Sequence, residues 1–266
     1  MKTLRLSHIL GAFRHVICVL VCLLCFSQPV LSGELADFEQ DATKEEPEKK
    51  TVIIHKDDDD DDEEDGFWDT VLMLTIGGLY IGGKQSWDRV QVPQSELKFL
   101  QPRHLGEAVI PFFRFDGGYQ NVAADMAAYD ARAESGYGPF GVQVRYTHYQ
   151  EDDPADELDL LQVHGLYRMS FGNHVECDLG IGFSSLQGEE RHTGFSLTTP
   201  ILVHPKEFFG IELRPSWSTI HANLLSDYDL GVVLSYRYAA LRVGYRWMHS
   251  EHEALDGPYI GFSFRF

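Results

Sequence analysis

The sequence predicts an all-β protein: a transmembrane, up-and-down antiparallel β-barrel of about ten strands, with eight as the alternative, preceded by a disordered acidic segment. Three observations carry this reading. From about residue 108 onward, apolar and polar residues alternate with period two, segment after segment. The apolar faces carry Tyr, Phe and Trp at their ends, as a lipid-facing band with aromatic girdles does, while the opposite faces carry charges of both signs. The joints between segments alternate between tight and longer polar ones, the pattern of a membrane barrel with its short turns on the periplasmic side. Alternation alone also describes a soluble sandwich, so the faces and joints decide the class.

The segments run in order. Residues 109–120 set Phe113, Phe115 and Tyr119 against Arg114, Asp116 and Gln120. Residues 127–136 set Tyr129, Ala131 and Ala133 against Asp130, Arg132 and Glu134; residues 140–150 set Phe140, Val142, Val144 and Tyr146 against Gln143, Arg145, Thr147 and Tyr149. In 158–171, Leu161, Val163, Tyr167, Met169 and Phe171 oppose Gln162, His164, Arg168 and Ser170, and in 175–186, Val175, Cys177, Leu179, Ile181 and Phe183 oppose Glu176, Asp178 and Ser184. The segment 193–204 is interrupted by Pro200. Residues 208–220 then pair Phe209, Ile211, Leu213 and Trp217 against Glu212 and Arg214, 228–238 pair Tyr228 to Tyr236 against Gly231, Ser235 and Arg237, and 241–248 pair Leu241, Val243, Tyr245 and Trp247 against Arg242 and Arg246. The tenth segment, "GPYIGFSFRF" at 257–266, puts Ile260, Phe262, Phe264 and Phe266 on one face. "SGYGP", "FGNH", "HPKE" and "YAA" read as the tight joints, and "EDDPADE", "QGEERHTG", "HANLLSD" and "HSEHEALDG" as the longer loops.

What precedes the barrel divides into three parts. Lys2, Arg5 and Arg14 ahead of an apolar run from Val16 to Phe26, then Pro29 and small residues, read as a signal peptide over 1–32, cleaved after Ser32 or Gly33. The apolar run is shorter than the roughly 20 residues a spanning helix needs. Lipidation of Cys25 is the rival, and Leu24 stands where a small residue would be expected. With Cys18, Cys22 and Cys25 removed, only Cys177 is left and no intrachain disulfide can form. Residues 33–66 read as an acidic disordered spacer: 34–65 hold sixteen acids against Lys44, Lys49, Lys50 and Lys56, a net -12 of the chain's -19. Its run "DDDDDDEED", Asp57 to Asp65, is read as solvated, with divalent-cation gathering as the alternative; a contiguous run lacks the turn residues of an EF-hand loop. The acidic balance excludes nucleic acid as an expected partner. Residues 67–107 read as a short apolar segment and irregular connection, in which 67–87 fits an interfacial segment, a plug or a further strand pair, with Gly77, Gly78, Gly82 and Gly83 disfavouring a helix.

On the signal peptide, residues 108–266 and the last strand, the chain resembles bacterial outer-membrane β-barrel proteins, the class of small barrels typified by the membrane domain of outer-membrane protein A. That resemblance implies an assembly signal in the last strand, Gly261, Phe264 and Phe266, read by the barrel-assembly machinery. It also implies outer-membrane lipids and lipopolysaccharide as surroundings. It implies no activity, because fold does not fix function.

Two groups of residues are candidates for function. The inward faces form an expected charge network of Arg114, Asp116, Arg145, Arg168, Glu176, Asp178, Glu212, Arg214, Arg237, Arg242 and Arg246, with Asp130, Arg132, Glu134 and His164 on the same faces. A barrel this narrow is filled by side chains, so the expectation is a mutually paired ionic plug, with a narrow anion-favouring pore as the alternative. The second group is "MHSEHE", Met248 to Glu253, with His221 and His192 on other loops. Its His, Ser and acid content is similar in kind to the lipid A deacylases, but neighbours on a strand point to opposite faces, so His249 and Ser250 do not aim at one substrate. A transition-metal site from His249 and His252 with Glu251 or Glu253 lacks rigid spacing. The expectation is a structural or surface-interaction barrel with no catalytic residue, metal or cofactor; a lipid-modifying enzyme or narrow pore is the alternative.

Overall fold

The computed structural model describes residues 34–44, 65–90, 112–123, 125–152, 155–171, 174–206, 208–221, 223–236 and 238–265. Among these are two helices, α1 (Glu34–Thr43) and α2 (Asp65–Val90). The strands are β1 (Phe112–Asn121), β2 (Met126–Tyr137), β3 (Phe140–Asp152), β4 (Ala155–Phe171), β5 (Val175–Gln187), β6 (Arg191–Thr198), β7 (Ile201–Lys206), β8 (Phe209–Ile220), β9 (Asn223–Tyr236), β10 (Ala239–His249) and β11 (Ala254–Arg265). Apart from β6 and β7, which do not pair with each other, each strand pairs antiparallel with its sequence neighbours, and β1 pairs with β11 from Arg114↔Arg265 to Gln120↔Tyr259, so the sheet closes. β6 and β7 are one stave: both lie between β5 and β8, broken at Thr199 and Pro200, with a register shift against β8 between Val203 and Lys206. The result is a closed ten-stave antiparallel barrel.

The alternation read from the sequence maps onto the wall. Phe113, Phe115, Tyr129, Val142, Val144, Ile181, Phe183, Phe195, Ile211, Leu230, Ile260, Phe262 and Phe264 face outward and are exposed, while Arg114, Asp116, Arg132, Glu134, Arg145, Glu212, Arg242 and Arg246 on the alternate positions are buried. Closure leaves every strand with two partners, so backbone donors and acceptors are satisfied within the wall.

Three expectations need correction. The four longer loops are mostly strand: Asp152 pairs with Ala155, Gln187 with Arg191, Ile220 with Asn223 and His249 with Ala254. Charged side chains do not end a strand whose backbone still has a partner, and β9 begins at Asn223 rather than near Tyr228. The connections at both ends are short, so loop length no longer distinguishes them. Secondly, residues 34–43, assigned to the disordered spacer, form α1, because Leu35, Phe38 and Ala42 fall on one helical face and are fully buried. The run from Asp57 to Glu64 lies outside the described residues. Thirdly, 65–90 is helical despite its glycines. It packs on the outer wall of β4, where helix glycines allow close approach.

Candidate functional site: the filled interior and its capped mouth

Strand periodicity places two stacked layers inside the barrel. The first is ionic. Seven arginines (Arg114, Arg132, Arg145, Arg168, Arg214, Arg242 and Arg246) face seven carboxylates (Asp116, Asp130, Glu134, Asp178, Glu212, Asp227 and Asp229). The pairs reach across the lumen as well as along the wall. Arg114 on β1 forks onto Glu212 on β8, Nη1 to Oε1 at 2.9 Å and Nη2 to Oε2 at 3.2 Å. Arg246 forks onto Asp227, Nε to Oδ1 at 2.8 Å and Nη2 to Oδ2 at 2.7 Å. Arg145 donates to Asp130 at 2.6 Å and reaches Asp227 at 3.2 Å. Arg242 bridges Glu212 and Asp229, each at 3.1 Å, and its guanidinium lies 5.3 Å from the centre of the Tyr259 ring. Asp116 also pairs with Arg132, and Glu212 with Arg214. Bidentate guanidinium–carboxylate geometry is what a low-dielectric interior requires of charges it holds.

Glycine makes room for this layer. A Cβ at Gly244 would stand 2.8 Å from Tyr259 Cε1, and one at Gly231 would collide with the Tyr259 hydroxyl. Only an absent side chain on two neighbouring strands lets that phenol lie flat across the wall.

The second layer is apolar and lies toward the end where β1 turns into β2. Inward-facing Ala128, Tyr149, Leu158, Leu160, Leu186, Leu225, Met248 and Leu255 line it, and α1 sits within it on Leu35, Phe38 and Ala42. Polar contacts hold the helix at its edges. Leu35 N donates to Glu151 at 3.3 Å, and Glu39 accepts from the backbone N–H of Glu189 at 3.2 Å. Asn223 Nδ2 donates to the carbonyl oxygens of Asp41 and Lys44 at 3.1 and 2.8 Å. Asp41 is latched to the β10–β11 connection: Ser250 Oγ donates at 2.6 Å, His252 N at 2.7 Å, and His252 Nδ1 stands 2.9 Å away. Burial raises the Asp41 carboxyl, but these bonds outweigh it and hold the group at about 2, down from 3.8. Glu34 moves the other way, raised by burial first and then by the carboxylates of Glu151, Glu253, Asp125 and Asp37.

The expected residues distribute as follows. Arg114, Asp116, Arg145, Arg168, Asp178, Glu212, Arg214, Arg242 and Arg246 meet inside the barrel. Glu176 lies half-buried on the inward face of β5, opposite Ser170. Arg237 and Phe266 lie outside the described residues. Gly261 and Phe264 sit in β11, inward and outward respectively. Two acids central to the network, Asp227 and Asp229, are absent from the sequence reading. Asp227 falls in a stretch read as loop, although both share the inward parity of Gly231.

The "MHSEHE" stretch does not assemble as a nucleophile with its base. Ser250 is bound to Asp41, and His249 Nε2 stands 3.3 Å from Asp256. His192 and His221 meet each other instead, Nδ1 to Nε2 at 2.8 Å. Among the described residues, Asp41, Glu251 and His252 form a trio of ligand types with their donor atoms within 4.8 Å of one another. Both oxygens of Asp41 are already engaged in the latch, so hydrogen bonding explains the cluster.

No family model matches this chain, and no curated protein matches it. Among solved structures it is similar to a KdgM porin in complex with disordered oligogalacturonate, with a TM-score of 0.31 and 8% identity, covering 59% of this chain and 98% of that chain. The fold assignment rests on the closed ladder itself.

Proposed function

We propose that this chain is an outer-membrane barrel whose lumen is closed, serving a structural or surface-interaction role at the envelope rather than conducting solute. The observation that carries the reading is the inverted distribution of polarity: the wall turns Phe, Val, Ile and Leu outward and holds seven arginines with seven carboxylates within. A water-soluble barrel of this size would bury the opposite set, whereas lipid favours an apolar exterior. Among the described residues the seven arginines are matched by seven paired carboxylates, with Glu176 on the inward face as well, so they leave the lumen without the uncompensated positive lining that an anion-favouring pore needs. The capped mouth supports closure independently. In this reading the outer wall meets membrane lipids and lipopolysaccharide, and the last strand, with Gly261, Phe264 and Phe266, addresses the barrel-assembly machinery.

Planar-bilayer recording tests closure. Purified refolded protein is expected to give no steady conductance, and the double variant Arg114→Ala/Glu212→Ala in a chain that also lacks residues 34–44, which opens the ionic layer and its cap together, is expected to admit ions. Steady anion-selective currents from the unaltered protein would refute the closed reading and leave the pore in its place.

A further inference from the structure

We infer that α2 is a membrane-surface helix, seated on the barrel by a glycine face and presenting an apolar stripe to the lipid interface beside the wall. This rests on the reading of the barrel as membrane-inserted.

The seat is defined by β4. Met169 has the outward parity of Tyr167 and Phe171, yet it is only 6% exposed. What covers it is α2. A Cβ added at Gly82 would lie 2.6 Å from Met169 Cβ and 2.9 Å from Phe171 Cζ, and one at Gly83 would collide with the Tyr167 hydroxyl. Tyr167 donates that hydroxyl to the Leu79 carbonyl oxygen at 3.3 Å, and Ser86 Oγ donates at 3.2 Å to Ser170 Oγ, which has the inward parity, so α2 contacts both faces of β4 near its end. At 100° per residue, Leu79, Gly82, Gly83 and Ser86 occupy one side of the helix. The helix therefore meets the barrel with its smallest residues.

Its bulkiest residues lie on the flank beside the seat. Met73 is 81% exposed, Tyr80 68%, Ile76 57%, Ile81 52% and Trp87 46%, and at 100° per residue they run round the helix from about 60° to about 200° from Leu79. A helix that hides glycine and displays Met, Ile, Tyr and Trp is inverted for water, as the barrel wall beside it is. No helix among the described residues is long and apolar enough to cross a membrane; an exposed apolar stripe beside a lipid-facing wall is suited to lie along the interface. Its place agrees: the seat at Tyr167, Met169 and Phe171 is the last turn-ward part of β4, next to Phe140 packed on Tyr167, where an aromatic ring would meet headgroups. Lys84, the exposed cation within the stripe, has a stem long enough to lift its ammonium to the headgroups while its neighbours remain below. The occupant of the stripe is thus the lipid surface continuous with the outer wall.

The test places an environment-sensitive fluorophore at Tyr80→Cys in a Cys177→Ser background, with Glu189→Cys at the capped mouth as a water-exposed reference. The full mature chain is refolded into phosphatidylcholine–phosphatidylglycerol vesicles, and barrel insertion is scored separately by the heat-shifted gel band. The expected result is a blue shift at position 80, quenching by brominated acyl chains and protection from aqueous iodide, none of which occurs at 189. Adding Gly83→Leu, which unseats the helix, is expected to reduce the shift while the heat-shifted band remains. An inserted barrel whose position 80 stays open to iodide would overturn the inference but not the barrel reading. A chain that never inserts would overturn the barrel reading itself. A blue shift that disappears when protein is diluted at constant lipid would assign the stripe to a second copy of the chain and likewise overturn the inference.

Discussion

Asp116 is where the interior charges converge. Its carboxylate pairs with Arg132, accepts from Arg114 Nε at 2.9 Å, and has Arg214 Nη1 at 3.5 Å and Arg242 Nη1 at 3.9 Å, with no solvent exposure of its own. Removing it leaves guanidinium groups buried without their compensating charge. Asp116→Ala is therefore expected to cost about 3–5 kcal/mol, read as a lowered urea midpoint of the refolded protein in detergent. Phe262→Ala on the outer face is the control and should cost less. The latch gives a second prediction, in pH. Asp41, depressed to about 2 from 3.8, stabilises the docked helix fully above 3.8, and that contribution is lost as pH falls through about 2. Glu34, raised above 4.5, has the reverse sign: its contribution is present below 4.5 and is lost as pH rises through its folded value. Docking of α1 is expected to be tightest near pH 4 and weaker on either side, measured as the anisotropy of a fluorophore at Gln40→Cys; a monotonic profile would show that one of these carboxyls is misassigned.

At the scale of elements, α1 is held by apolar burial more than by its latch. Phe38 and Leu35 are each fully buried, worth roughly 1.5–3 kcal/mol apiece. Phe38→Ala is expected to release the helix, seen as rapid proteolysis within 34–44, while the heat-shifted barrel band is kept. Deleting 34–44 should likewise leave the band intact and leave the bilayer silent, because the ionic layer beneath still fills the lumen. The strands were legible from the sequence because period two is a strong signal and most wall positions obey it. The helix was not, because sixteen acids dominate the composition of its surroundings and conceal three apolar residues at helical spacing. A trace of it was nonetheless written in the wall. Leu158, Leu160, Leu225 and Met248 have inward parity yet are apolar, and an apolar patch inside an otherwise ionic lumen requires an apolar occupant. Asp227 was hidden for a different reason, since polar residues near a joint read as loop whether or not the backbone ladder continues through them.

For the whole molecule, the inverted polarity predicts that folded and boiled samples migrate differently on a gel and that the protein requires detergent or lipid to stay monomeric. A chain that is monomeric in plain buffer would contradict the membrane reading. The proposed assembly signal separates cellular from physical folding: Phe266→Ala is expected to lower the yield of barrel in cells far more than the yield refolded in detergent. Phe262→Ala, an outward aromatic of the same strand, should lower both alike. Equal small losses for the two variants in cells would remove the terminal aromatic from that role.

The interruption at Thr199 and Pro200 gives the closed wall a seam. Across from it stands Pro215, which has no N–H; its carbonyl accepts from Thr199 N at 3.1 Å and from the Thr198 hydroxyl at 2.8 Å. Elsewhere a stave can leave its neighbour only by breaking a continuous run of bonds, but here two short runs end on either side of a gap. Amide hydrogens of β6 and β7 are therefore expected to exchange with deuterium sooner than those of β3 and β4, and a sideways parting of the cylinder, if the molecule ever makes one, would start between β7 and β8.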